Sequence, residues 1–250
     1  MLPQLVQFLP ARFKRYHEPF FGAGAMFFFL RPESARLSDA CLPLVRTYEA
    51  VKKSPHEVYA KLTSYDLLDR ELFYRERAAP PAAGVAEAAR FLYFNRAGWN
   101  GLYRVNSAGR YNVPYGQPKS PLHIDPDNFI AASQLLASPG VEIVGSDYSE
   151  VENAAAEGDF VYLDPPYVTG HDNNGFADYN EKLFSWDDQV ALAALAARLQ
   201  AAGVQVVVSN AHHDSLIALY PTFKVAKVMR QSTLAGDMTA RGRVNEAVFH

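Results

Sequence analysis

Phe160-Val161-Tyr162-Leu163 and the run 204–209 carry apolar, mostly β-branched or aromatic side chains at nearly every position. A strand with one wet face alternates in polarity. Strands apolar throughout need cover on both faces, and that is the environment of a parallel sheet flanked by helices. The Ala/Leu-rich stretch 187–200 between the two runs reads as the covering helix, with Trp186-Asp187-Asp188 near its start. A third run of this kind spans 141–144. Nearer the start, periodicity predicts a short helix over 2–9, a strand over 15–20, a glycine turn and an apolar helix from about Ala25. A strand over 35–38 ending at Asp39 and a helix over 42–52 follow, which extends the strand-turn-helix order of a parallel α/β sheet. Runs 223–229 and 244–249 are predicted to close the sheet as a hairpin.

The middle of the chain breaks this rhythm. Helices are predicted over 55–70 and 85–95, with a polar connection over 75–81. A loop-rich region over 98–121 comes next, in which Arg104, Arg110 and Lys119 are interleaved with Trp99, Tyr103, Tyr111 and Tyr115, just after Arg96. A loop of that length inside a compact domain is usually functional or disordered. The expected organisation is therefore an α/β domain over 1–53 and 139–250, interrupted by a mostly helical domain over 54–138.

Charge and cysteine usage bound the function further. The formal net charge of −3 argues against a surface basic throughout, but leaves room for a local basic face. Cys41 is the single cysteine, so no internal disulfide can form, and a reducing, cytoplasmic setting is expected. No run approaches the roughly 20 apolar residues of a membrane helix. His212-His213-Asp214 lacks a partner cluster at ligand spacing, so no metal site is expected.

The strongest chemical signal is Asp164-Pro165-Pro166-Tyr167, directly after the apolar run 160–163. In open α/β sheets, ligands bind at the carboxyl ends of strands. Two prolines stiffen this turn, and an aspartate oxygen beside a proline carbonyl makes a paired acceptor. That pair suits the two hydrogens of an amino group on an aromatic ring, on which Tyr167 can stack. A second signal, Glu18-Pro19-Phe20-Phe21-Gly22-Ala23-Gly24, ends the first strand. Its glycines allow close backbone approach to a cofactor, although Phe27 stands where the dinucleotide fingerprint has its third glycine. Asp39 is either an acceptor for ribose hydroxyls or the N-cap of the helix after it.

Taken together, Phe20-x-Gly22-x-Gly24, the tetrapeptide 164–167 and the stretches 91–104 and 111–116 resemble the DNA adenine methylase family. Its members are S-adenosylmethionine-dependent N6-adenine DNA methyltransferases of the alpha group. The resemblance implies a Rossmann-like methyltransferase sheet with an inserted target-recognition domain. It places S-adenosylmethionine against Phe20, Gly22, Gly24, Asp39, Asp147, Tyr148 and Asp164, with Asp147 on the cofactor adenine. Asp164, Pro165, Pro166 and Tyr167 would hold a target adenine flipped out of double-stranded DNA. Trp99 would enter the duplex in its place, with Asn100 and Arg96 nearby. Leu102 and Pro114 would touch a thymine methyl and Arg104 would read a guanine, contacts that suit a GATC target. Relatives begin with a Lys-x-x-Gly-Gly-Lys segment against the cofactor, whereas this sequence starts at Met1-Leu2-Pro3. Weak cofactor binding and poor discrimination at the first base are expected from that difference.

The implied reaction is direct methyl transfer to N6 without a covalent enzyme intermediate. Cys41 has no Pro-Cys context, which disfavours C5-cytosine chemistry. Three other readings remain open: a methyltransferase acting on RNA or a protein glutamine, a dinucleotide oxidoreductase, and a non-catalytic DNA-binding protein of the same fold.

Overall fold

The computed structural model describes residues 2–167, 184–231 and 243–250. The chain packs as two compact units, Met1–Ala40 with Ser146–His250, and Cys41–Gly145. In chain order the first unit holds α1 (Leu2–Leu5), β1 (Tyr16–Glu18), α2 (Ala25–Leu30) and β2 (Ala35–Asp39). The second holds α3 (Leu42–Lys53), α4 (Pro55–Thr63), α5 (Arg70–Ala78), α6 (Gly84–Ala97), α7 (Pro126–Leu136) and β3 (Val141–Gly145). The first unit then resumes with α8 (Val151–Ala154), β4 (Phe160–Leu163), α9 (Trp186–Ala201) and β5 (Gln205–Ala211). It ends with α10 (Asp214–Ile217), β6 (Val225–Gln231) and β7 (Arg243–Phe249).

Seven strands form one sheet in the order β3-β2-β1-β4-β5-β7-β6. The pairs β1–β2, β1–β4 and β4–β5 are parallel, and β7 runs antiparallel to both β5 and β6. The closing hairpin is thus as predicted, but its second strand lies inside its first. All four residues of β4 are buried, as an apolar central strand requires. Val161 and Leu163 pack with Leu192, Leu195, Val206 and Phe249 in the core of the first unit. The start of α9 is set by a capping box: the Ser185 Oγ accepts from the Asp188 amide at 3.2 Å, and the Asp188 carboxylate accepts from the Ser185 amide at 2.7 Å.

The second unit differs from expectation in three places. The helix predicted over 55–70 stops at Thr63, because Ser64 donates to the Lys61 carbonyl and Asp66 accepts from the Leu68 amide, local bonds that compete with helix continuation. A new helix, α5, then starts at an Asp69 cap that accepts from the Leu72 amide, and it occupies part of the expected polar connection. The helix α7 was not anticipated; Asp125 caps it by accepting from the Asn128 amide, and Pro126 opens it. Leu62, Phe73, Ala89, Tyr93 and Phe94 form the core of this unit.

Candidate active site

At the end of β1, Gly22 and Gly24 both adopt positive φ, 47° and 66°, and the chain turns into α2. The Phe21 amide donates to the Ser38 carbonyl at 3.0 Å, and the Gly22 amide to Asp39 Oδ2 at 2.9 Å. Asp39 therefore fastens the glycine turn instead of capping a helix; the cap position of α3 is Cys41, whose side chain makes no cap hydrogen bond to the helix. The Ser146 amide reaches the Asp39 carbonyl at 3.2 Å. Asp147 follows and accepts from the Ser149 amide at 3.0 Å, capping the turn over Tyr148–Glu150. The Phe20 ring stacks on Tyr148 at 5.2 Å, and Phe184 closes on both rings at 5.6 Å. Phe184 is itself buried. Phe176, Tyr179, Arg241 and residues 171–175 lie outside the described residues, as do the side chains of Arg230 and Arg243.

The Asp-Pro-Pro-Tyr turn leaves the end of β4 with Pro165 buried and Asp164, Pro166 and Tyr167 half-buried. The Tyr167 hydroxyl donates to Asp164 Oδ1 at 3.2 Å. Behind it lie buried polar groups that strand periodicity does not reveal. The Tyr16 hydroxyl donates to Glu18 Oε2 at 2.8 Å, the Phe27 amide donates to the same oxygen at 3.2 Å, and Tyr162 and Ser209 share a hydrogen bond of 2.8 Å. Burial pushes the Glu18 carboxyl up to about 8, and the nearby Asp164 charge adds to that, against the two hydrogen bonds it accepts. At neutral pH burial therefore favours the protonated form of Glu18. Burial, reinforced by Glu18, likewise drives the Tyr16 phenol upward.

Glu18 was visible in the sequence as the first residue of the glycine motif, but only its burial reveals this role. Gln189 and Asn210, both fully buried near the same turn, carried no sequence signal at all. The His213 ring nitrogen accepts from the Ser215 amide at the start of α10. Among the described residues no group of three potential ligands could hold a metal ion. No described helix is long and apolar enough to cross a membrane.

The other expected site residues lie in the second unit, Arg96 in the last turn of α6 and the rest on the fold-back after it. Two isolated bridges, Gly98↔Tyr115 and Val105↔Tyr111, hold this loop. The Tyr111 ring stacks on Phe94 at 4.4 Å, and its hydroxyl reaches the Phe94 and Leu102 carbonyls. A Cβ on Gly98 would collide with that hydroxyl, so glycine is required there. The packing leaves Arg96, Trp99, Asn100, Arg104 and Pro114 exposed and Leu102 half-buried. Trp99 is 46% exposed, uncommon for an aromatic ring, while its amide is fixed to the Pro114 carbonyl at 2.9 Å. Asn100 takes a left-handed φ of 53°. The Arg104 Nε donates to Asn112 Oδ1 at 2.8 Å, which sets the plane of the guanidinium.

A proline-stiffened turn at the end of a central parallel strand, beside a glycine turn, lies where α/β enzymes with open sheets bind their ligands. The family described as D12 class N6 adenine-specific DNA methyltransferase matches residues 1–234, and the chain belongs to it. A Type II methyltransferase of Lactococcus lactis subsp. cremoris is 32% identical over 255 residues, covering 99% of this chain and 90% of the relative. A Type II methyltransferase of Methanocaldococcus jannaschii is 32% identical over 267 residues, covering 97% and 92%. The DNA adenine methylase of Serratia marcescens is 31% identical over 237 residues, covering 92% and 86%. The seven-stranded, mostly parallel sheet agrees with the methyltransferase fold expected for such a chain.

Proposed function

We propose that the protein transfers a methyl group from S-adenosylmethionine to N6 of adenine in double-stranded DNA, within GATC. The observation that carries this reading is the Asp-Pro-Pro-Tyr turn at the end of β4, where the Tyr167 hydroxyl donates to Asp164 Oδ1 at 3.2 Å. When bound, S-adenosylmethionine supplies an electrophilic methyl group on a sulfonium. The turn after β1 fits such a molecule. Among the described residues, a Cβ on Gly22 would meet only the Phe20 carbonyl, at 3.9 Å, so the backbone is open to close approach. Phe20 and Tyr148 offer an aromatic wall, Asp39 a carboxylate for the ribose, and Asp147 an acceptor for an adenine amino group. Gly24 and Asp164 complete this set.

In the proposed reaction the Asp164 carboxylate and the Pro165 carbonyl accept the two amino hydrogens of the flipped adenine. That pairing favours the pyramidal nitrogen whose lone pair would bond to the methyl carbon as the methyl–sulfur bond breaks to leave a neutral thioether, after which one N6 proton would be lost; Tyr167 stacks on the ring. Pro166 keeps the turn rigid. The contribution is positional and electrostatic. Residues 54–138 are proposed to recognise the target. Trp99 fills the gap left by the flipped base, and Asn100 and Arg96 lie beside it. Leu102 and Pro114 contact a thymine methyl and Arg104 pairs with a guanine. These roles are supported by exposure of polar and apolar side chains on one folded loop.

Incubation with labelled S-adenosylmethionine and duplexes containing or lacking GATC tests the proposal. Label on adenine N6 is expected in GATC duplexes, and not in duplexes that lack the ATC part of the site. Binding of DNA with no label transferred would replace the proposal by the non-catalytic reading.

A further inference from the structure

Two fully buried amides grip the Asp-Pro-Pro-Tyr turn from behind. Gln189, in the first turn of α9, donates from Nε2 to the Pro166 carbonyl at 2.9 Å. Its Oε1 accepts from Asn210 Nδ2, near the end of β5, also at 2.9 Å. Asn210 Oδ1 in turn accepts from the Ala211 amide at 2.9 Å. Both side chains are 0% exposed. The polarity of this chain follows from its last link. A backbone N–H can only donate, so Asn210 must present its oxygen there and its NH2 to Gln189; Gln189 must then present its own NH2 to Pro166.

Burying two amides gains the core nothing over apolar side chains of similar volume. What the pair does is fix one carbonyl. Proline rings lock φ at residues 165 and 166, which leaves ψ as the soft torsion at each. A hydrogen bond to the Pro166 carbonyl fixes ψ at residue 166, and with it the direction in which the chain presents Tyr167. The Tyr167 hydroxyl donates to Asp164 Oδ1, so its placement bears on the carboxylate as well. The far end of the chain is equally rigid. The capping box at Ser185 and Asp188 anchors the first turn of α9, and the Leu163↔Val208 register places Asn210 two residues past the end of β4.

We propose that Gln189 and Asn210 are positioning residues for methyl transfer, holding the Pro166 carbonyl so that Tyr167 and Asp164 meet the target adenine in reactive geometry. The proposal rests on the reading that residues 164–167 hold that adenine.

The test compares the parent with Gln189→Leu, Asn210→Leu and the double variant, with Gln189→Met as a second volume-conserving change. Four quantities are measured: thermal unfolding, cofactor affinity, affinity for a GATC duplex, and the single-turnover methylation rate. Folded single variants are expected to bind both ligands within about two-fold of the parent while the rate falls roughly 10- to 100-fold, as a small misplacement at a reacting centre does. The double variant should be little slower than either single one, because the amides act as one relay. A fluorescent adenine analogue at the target position should still show extrusion of the base, with altered quenching by Tyr167. Unchanged rates in folded Gln189→Leu and Gln189→Met would overturn the proposal. So would cofactor affinity falling in step with the rate, or failure of both Gln189 variants to fold, since the pair would then be a structural prop. A parent that methylates no adenine duplex would instead refute the reading of the turn, and this proposal with it.

Discussion

The Gly22 amide donates to Asp39 Oδ2 at 2.9 Å, so the glycine turn that ends β1 is fastened to the end of β2 by a side chain. The Phe21 amide on the Ser38 carbonyl and the Gly24 amide on the Phe21 carbonyl hold the rest of the turn. One carboxylate thus shapes the proposed cofactor cradle, in which it is also proposed to accept from the ribose. Asp39→Ala removes both functions and is expected to weaken S-adenosylmethionine binding about ten-fold, the worth of one charge-assisted hydrogen bond. Asp39→Asn keeps an oxygen for Gly22 and should lose less. Titration calorimetry on the two variants checks the order; equal affinity for Asp39→Ala and the parent would remove Asp39 from the cradle.

Asp164→Ala should abolish methylation and leave the fold intact. Asp164 is half-buried and its loss opens no core cavity, so thermal unfolding within a few degrees of the parent is expected. Label transfer to GATC duplexes reads the activity. Retained turnover would show that the acceptor pair is not at residues 164 and 165.

Arg104 is exposed, yet its guanidinium plane is set by Asn112. A bidentate contact to one guanine needs such an orientation, whereas a phosphate contact does not. Arg104→Ala is therefore expected to cost roughly 1–3 kcal/mol on GATC duplexes and far less on duplexes altered at that guanine. Asn112→Ala should move specificity the same way by a smaller amount. Binding isotherms on the cognate and altered duplexes decide; equal losses on both would make Arg104 a phosphate contact.

Much of the first unit is legible because its signals are local. The apolar runs of β4 and β5 demand two-sided cover, and the prolines after Leu163 mark a stiff turn whatever surrounds them. The second unit is less so. The Asp125-Pro126 signal of α7 lies beside a stretch rich in proline and glycine, where a single cap is easily missed. The break after Thr63 depends on Ser64 and Asp66 bonding their own backbone, which apolar periodicity does not register. Glu18, Gln189 and Asn210 are illegible for a deeper reason. A buried polar side chain looks in sequence like a surface one, and its role is set by partners brought together only by the sheet.

Glu18 makes that hidden chemistry measurable. Its ordinary carboxyl value of 4.5 is raised by burial to about 8 in the folded protein. Between those values the folded state holds a proton that the unfolded chain has released, so stability falls as pH rises through this window. The contribution is fully present below about pH 4.5 and lost above about pH 8. His17 works in the opposite sense, because burial lowers its value from 6.5, partly opposed by its bond to Asp159. A variant that leaves His17 untouched isolates Glu18 by difference. Glu18→Gln stays uncharged throughout and keeps an oxygen for the Tyr16 hydroxyl and the Phe27 amide. Its thermal midpoint should drop less than the parent's between about pH 5 and about pH 9. Thermal unfolding across that range, followed by circular dichroism, reads the difference. Parallel curves for the two proteins would mean that Glu18 is already ionised in the folded state.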